Sequence, residues 1–238
     1  MRTLGVDLAS AAEKTAWCLL EWRDDGAVVG GLELGADNAQ LLEACEQADH
    51  LGIDAPCGWP AAFVRMLREP PQPMRWPDER DTLRYRRSDH FVKEVTGLWP
   101  LSVSSDLIGV VAMRARGLLA SLQELGRPCL EVYPAAALHQ WGIPARGYKG
   151  AKNRGALGAR VDAVQQAAPW LQMDAGVEAQ VRATDDAFDA LLASLAVRAH
   201  CAGHVLPEHC CPDDEAAAEG WIVLPAPGSL PRLATRAR

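Results

Sequence analysis

The sequence has no stretch approaching the roughly 20 consecutive apolar residues of a membrane-spanning helix. Its start, MRTLGVDLAS, offers neither the apolar core nor the cleavage site of a secretory leader. A cytoplasmic protein without membrane attachment is therefore expected. Positive charge is scarce too: 24 Lys and Arg against 31 Asp and Glu leave a net charge of -7. That balance excludes the broad basic surface from which duplex-binding proteins draw most non-specific affinity, and it confines any polyanion site to a local patch. No glycine-rich phosphate loop follows a strand and no serine-centred nucleophile elbow occurs, so the common nucleotide and acyl-transfer templates lack support. The cysteines are odd in number, at seven, and mostly sit in apolar runs, which predicts reduced thiols rather than a disulfide framework.

What is present is enough apolar composition, 49%, to bury a substantial core in one domain over residues 1–238. Thr3 to Ala9, Thr15 to Trp22 and Ala27 to Leu34 read as three strands of an antiparallel meander. A helix capped by Asn38 and running to Ala48 follows, then a short strand from His50 to Ala55 stopped by Pro56. Seven prolines break residues 56–100, which predicts an insertion of loops and one or two short helices above the carboxyl edge of the sheet. Beyond it the pattern predicts a helix from Ser104 to Leu125 ended by Gly126, and a strand from Cys129 to Tyr133. Helices over 156–168 and 184–201 and a last apolar run, Trp221 to Leu224, as a late strand or docking segment, complete it. The expected class is α/β: a five-stranded mixed sheet in βββαβαβα order, flanked by helices.

Four aspartates carry the chemistry. Asp7 interrupts the apolar strand Leu4-Gly5-Val6-Asp7-Leu8-Ala9, where an unpaired ionised group is costly to bury. Accepting backbone N–H bonds at a strand end would account for one such residue. Asp54 repeats the arrangement in Ile53-Asp54-Ala55-Pro56, at the strand end where open α/β sheets place ligands. In Thr184-Asp185-Asp186-Ala187-Phe188-Asp189, Thr184 fits an N-cap and the first two acids fit the helix dipole. Asp189 does not, because it falls beside the face that Phe188, Leu191 and Leu195 bury, and so points toward the sheet. Carboxylates converging from two strands and a helix repel each other, and hard divalent cations, Mg²⁺ or Mn²⁺, resolve that repulsion.

Taken in order, Gly5-Val6-Asp7-Leu8-Ala9, Ile53-Asp54-Ala55-Pro56, Arg87-Ser88-Asp89, Glu131-Val132-Tyr133-Pro134, Asp185-Asp186-Ala187-Phe188-Asp189-Ala190 and Glu219-Gly220-Trp221-Ile222 span almost the whole chain. The chain resembles the ribonuclease H-like superfamily and, more closely, its group known as domain of unknown function 429 (DUF429), described as predicted nucleases. The helix from Asp186 to Leu191 is also similar to the terminal acidic helix of RuvC-type Holliday-junction resolvases. The resemblance implies a metal-dependent nuclease holding one or two Mg²⁺ or Mn²⁺ ions. It implies Asp7 bridging the ions, Asp54 holding one of them, and Asp186 and Asp189 as further ligands and catalytic residues. Glu131 or Asp185 are additional ligand candidates.

A basic, glycine-containing run of Arg146, Lys149, Lys152, Arg154 and Arg160 has no acid among it, and with Arg87 it suggests phosphate contacts. A solvated loop explains the same run. Residues 65–93 interleave a local excess of bases with Trp76, Tyr85, His90 and Phe91, a mix suited to stacking on single-stranded bases and equally to a packed insertion. The group His200, Cys201, His204, His209, Cys210 and Cys211 fits no structural zinc spacing. His139 and Trp141 read as helix packing rather than as a general base. Three functions follow: a metal-dependent phosphodiesterase acting on nucleic acid; a nucleotide-binding or sugar-kinase-like protein, since Gly5-Val6-Asp7 with Lys14-Thr15 also suits the first strand of actin-like ATPases; and a non-catalytic binding scaffold of the same fold.

Overall fold

The computed structural model describes residues 1–73, 75–76, 78–205 and 212–235. Three strands, β1 (Arg2–Asp7), β2 (Ala16–Trp22) and β3 (Ala27–Leu34), form the expected antiparallel meander. The helix α1 (Asn38–Glu46) crosses to β4 (His50–Asp54), which pairs parallel to β1. The cap of α1 is Asp37 rather than Asn38: its carboxylate accepts the N–H of Gln40, whose side chain accepts the N–H of Asp37 in return.

The proline-rich insertion holds three helices rather than one or two: α2 (Ala61–Arg68), α3 (Arg80–Arg84) and α4 (Arg87–Thr96). Helix α5 (Ile108–Glu124) starts later than Ser104, because residues 102–106 form turns in which Asp106 accepts the N–H of Ser102; Gly126, at φ +67°, follows its end as expected. Strand β5 (Cys129–Val132) leads into α6 (Pro134–Gln140), which sequence periodicity did not reveal. Then come α7 (Arg154–Ala167), β6 (Leu171–Gln172), α8 (Ala175–Ala183), α9 (Asp185–Cys201), α10 (Asp214–Glu219) and β7 (Ile222–Val223).

Among the described residues the sheet has seven strands, in the order β6-β3-β2-β1-β4-β5-β7. Two-residue strands at each edge widen the expected five, and they are too short to leave an alternating pattern in the sequence. Leu4, Val6, Leu51 and Ile53 point to one face, where α1 and α5 cover them with Leu41, Cys45, Leu118 and Leu122. The second core, on the opposite face, is built mainly from α6, α7 and α9. Helix α9 packs against β1, β2, β4, α6 and α8, and is buried all round from Ala187 to Ala199.

Side chains alternate between faces along a strand, so Thr3, Gly5 and Asp7 of β1, and Gly52 and Asp54 of β4, lie on the face under α9. Gly5 is the register partner of Gly52, and Asp7 of Asp54. A Cβ at Gly5 would collide with the backbone of Ala190 and Ser194, and one at Gly52 with Val197. The glycine pair thus lets the α9 backbone come down onto the sheet, and two residues further along, on the same face, both strands reach the aspartates.

No described helix is long and apolar enough to cross a membrane. Cys18, Cys45, Cys57, Cys129 and Cys201 are free thiols; Cys210 and Cys211, with His209 of the His/Cys group, lie outside the described residues. Trp141 is packed, with its indole N–H donated to Ser229, whereas His139 is exposed on α6, not packed as expected.

Candidate active site

Asp7 ends β1, Asp54 ends β4, and Asp189 descends from the first turns of α9. Each offers a carboxylate oxygen, and these three oxygens lie within 4.8 Å of one another. Asp189 is 1% exposed. Its Oδ1 accepts the Tyr148 hydroxyl at 2.7 Å, while its Oδ2 pairs with the ammonium of Lys149 at 2.6 Å. Three carboxylates drawn to one buried point against a single ammonium are a fit for a hard cation. The three residues could hold a metal ion.

The electrostatics agree. Burial, then the charges of Asp189 and Asp54, push the Asp7 carboxyl well above the usual carboxylate range. Burial raises Asp54 to about 7, with Lys149 opposing and Asp189 and Glu131 adding to the rise. Asp189 is raised as well, again chiefly by burial, against the lowering effect of Lys149 and Tyr148. For Lys149, burial disfavours the ammonium, but Asp189, Asp54, Tyr148 and Asp7 together outweigh it and hold the charge in place. With all three acids ionised, three carboxylates against one ammonium leave two negative charges, the complement of one divalent cation.

The structure distinguishes among the remaining candidates. Asp186 is outside the close trio and lines the wall of a cavity of about 620 Å³ beside Asp7, together with Lys14, Lys149 and Arg154. Burial, then Asp185, raises its pKa. Asp185 accepts the N–H of Gly150, pinning the basic loop to the start of α9. Lys152 is exposed on the short 3₁₀ turn Ala151–Asn153 and is not among the residues lining that cavity. Arg87 points elsewhere: its guanidinium contacts both oxygens of Asp213 at 2.7 Å and its N–H is donated to Glu219.

Glu131 is committed as well. Both of its oxygens accept from Arg86, at 2.7 and 2.9 Å, and Oε2 also accepts the N–H of Cys57. Arg86, 1% exposed, binds Asp89 in addition, so this buried cluster ties the insertion to β5 and leaves Glu131 no free oxygen for an ion.

Two contributors were not foreseen. Arg86 carried no signal apart from its charge. Tyr148 lies between Gly147 and Gly150, at φ +76° and +86°, conformations that suit glycine. These bracket Tyr148-Lys149 in a tight loop and turn both side chains onto Asp189. A tyrosine-lysine pair between two glycines was the readable trace.

An α/β chain with a buried acidic trio at the carboxyl ends of parallel strands is the class that fold and site define. Within it, the chain belongs to the family described as "Protein of unknown function (DUF429)", which matches residues 5–217 and so includes Asp7, Asp54 and Asp189. No curated protein and no solved structure matches it.

Proposed function

We infer that this chain is a divalent-metal-dependent nuclease built on a ribonuclease H-like sheet. The observation that carries the reading is the convergence of Asp7, Asp54 and Asp189 within 4.8 Å, next to a cavity whose mixed wall includes Lys14, Lys149 and Arg154. The βββαβ opening and the mixed sheet support the fold half of the reading.

Asp7, Asp54 and Asp189 would hold Mg²⁺ or Mn²⁺, with Asp186 at the rim. When bound, such an ion supplies charge stabilisation to a phosphodiester and a water activated at neutral pH. The protein's own groups do the rest. Tyr148 fixes the rotamer of Asp189 through its hydrogen bond. Lys149 balances part of the acidic charge before a cation arrives, and then lies on the cavity wall with Lys14 and Arg154, where phosphate oxygens of the strand are oriented. Leu101 and Ile108 line the cavities on both sides of the trio.

The test is cleavage of labelled single strands, duplexes and branched junctions of DNA and RNA, with Mn²⁺, with Mg²⁺ and with chelator. Metal-dependent cleavage of at least one substrate, lost in Asp54→Asn, is expected. Metal binding without cleavage of any of them would leave a non-catalytic scaffold, and stabilisation by ATP together with Mg²⁺ would turn the reading toward a nucleotide-binding protein.

A further inference from the structure

The insertion carries an aromatic cluster that the carboxylate chemistry does not use. Tyr85 and Trp99 stack at 4.2 Å with 27° between their planes. His90 meets both edge-on, 5.9 Å from Tyr85 and 5.3 Å from Trp99. Trp99 is 40% exposed, although burial of such a ring is a major source of packing energy. Cations surround the group: the Arg84 guanidinium lies 4.9 Å from the Tyr85 ring, and Lys93 Nζ lies 5.9 Å from that of Trp99. Lys93 and Arg146 both donate to the carbonyl of Gly97, which brings Arg146 of the basic loop to the edge of the cluster.

Residues next to the cluster in the chain line a cavity that reaches Asp54. Tyr85 is followed by Arg86, and Trp99 by Pro100 and Leu101. Arg86, Pro100 and Leu101 line a second cavity, of about 270 Å³, whose other walls include Asp54, Lys149 and Tyr133. The Tyr133 hydroxyl has no hydrogen-bond partner among the described residues. The cavity is just below the roughly 300–1,000 Å³ of small-molecule sites, room for one flat ring system rather than a base pair.

We propose that Tyr85, His90 and Trp99 form a stacking platform for single-stranded nucleic acid, which delivers one base into the Asp54-side cavity and places its phosphate at the trio. The proposal rests on the nuclease reading for the choice of nucleic acid as ligand and for the placing of its phosphate. A chain of net charge -7 gathers few phosphate contacts, so its affinity has to come from base faces, which a duplex hides and a single strand exposes. Arg84, Lys93 and Arg146 outline where the backbone passes.

The experiment is fluorescence anisotropy with labelled DNA and RNA single strands, a duplex of the same length and an abasic single strand, all in chelator so that nothing is cut. Wild type should bind both kinds of single strand more tightly than the duplex or the abasic strand. Trp99→Ala should weaken single-strand binding about tenfold; Trp99→Phe, which keeps a ring, should restore most of it and guards against a folding defect. Equal affinity for base-bearing and abasic strands, affinity indifferent to Trp99, or no single-strand binding by wild type would each overturn the proposal. The two readings separate cleanly. Trp99-dependent binding by a chain that cuts nothing with Mn²⁺ keeps the platform and removes the nuclease, whereas Mn²⁺-dependent cutting with Trp99-independent binding does the opposite.

Discussion

Asp7 and Asp54 are register partners on adjacent parallel strands, and both face the helix that delivers Asp189. Two carboxylates held side by side by backbone pairing cannot move apart to relieve their repulsion. The cost is therefore met by protonation, by Lys149 or by a cation.

That constraint fixes a pH dependence. Asp7, Asp54 and Asp189 all have raised pKa values in the folded chain, so between about pH 4 and 7 the folded state binds more protons than the unfolded one. Their stabilising contribution is full below the ordinary value of 3.8 and is lost as pH rises through about 7 for Asp54. Asp81 and Asp213 shift the other way, but both are solvent-exposed pairs. Urea denaturation in chelator should show stability falling from pH 5 to pH 8, by up to about 1.4 kcal/mol per pH unit for each proton released. Asp54→Asn should flatten that slope. A rise across the same window would contradict the coupling.

Gly5 and Gly52 predict unequal penalties. A methyl at Gly5 meets backbone atoms of α9 that cannot step aside, whereas at Gly52 it meets side-chain methyls of Val197 and Val132 and no backbone. Gly5→Ala should cost about 3 kcal/mol and Gly52→Ala nearer 1 kcal/mol, at the two ends of the usual overpacking range. Chemical denaturation of the two variants decides it. Equal losses would mean that α9 is not seated on this glycine pair.

Neighbouring arginines should behave oppositely. Arg86→Met leaves Glu131 and Asp89 buried without their cation and should destabilise by about 3–5 kcal/mol. Arg87→Ala removes an exposed pair with Asp213 and should cost under about 1 kcal/mol. Thermal melts of the two variants suffice. A neutral Arg86→Met would show that the insertion is not anchored through Glu131.

The sequence made visible what lies within a short window. Asp7 and Asp54 stood out because each places a charge in an apolar strand, and Asp189 because it breaks the helix-dipole account of its neighbours. The structure joins these three and leaves Asp186 on the cavity wall, a choice that helical spacing alone could not make. Glu131 looked free for an ion because its partner Arg86 lies 45 positions away, and the pairing of Lys149 with Asp189 was hidden because the two lie 40 positions apart. Neither pairing leaves a periodic trace. The edge strand β6 of two residues and the seven-residue helix α6 were missed because both are shorter than the windows over which periodicity shows, whereas β7 falls inside the late apolar segment Trp221 to Leu224.

The most direct measurement is Mn²⁺ titration by calorimetry of wild type and Asp7→Asn, with the melting temperature of each metal-free protein. If the trio exists to hold a cation, Asp7→Asn abolishes the titration, and its metal-free form melts at the same or a higher temperature, because one of three repelling charges is gone. Retained Mn²⁺ affinity with a lower melting temperature would contradict the account and make Asp7 a structural residue.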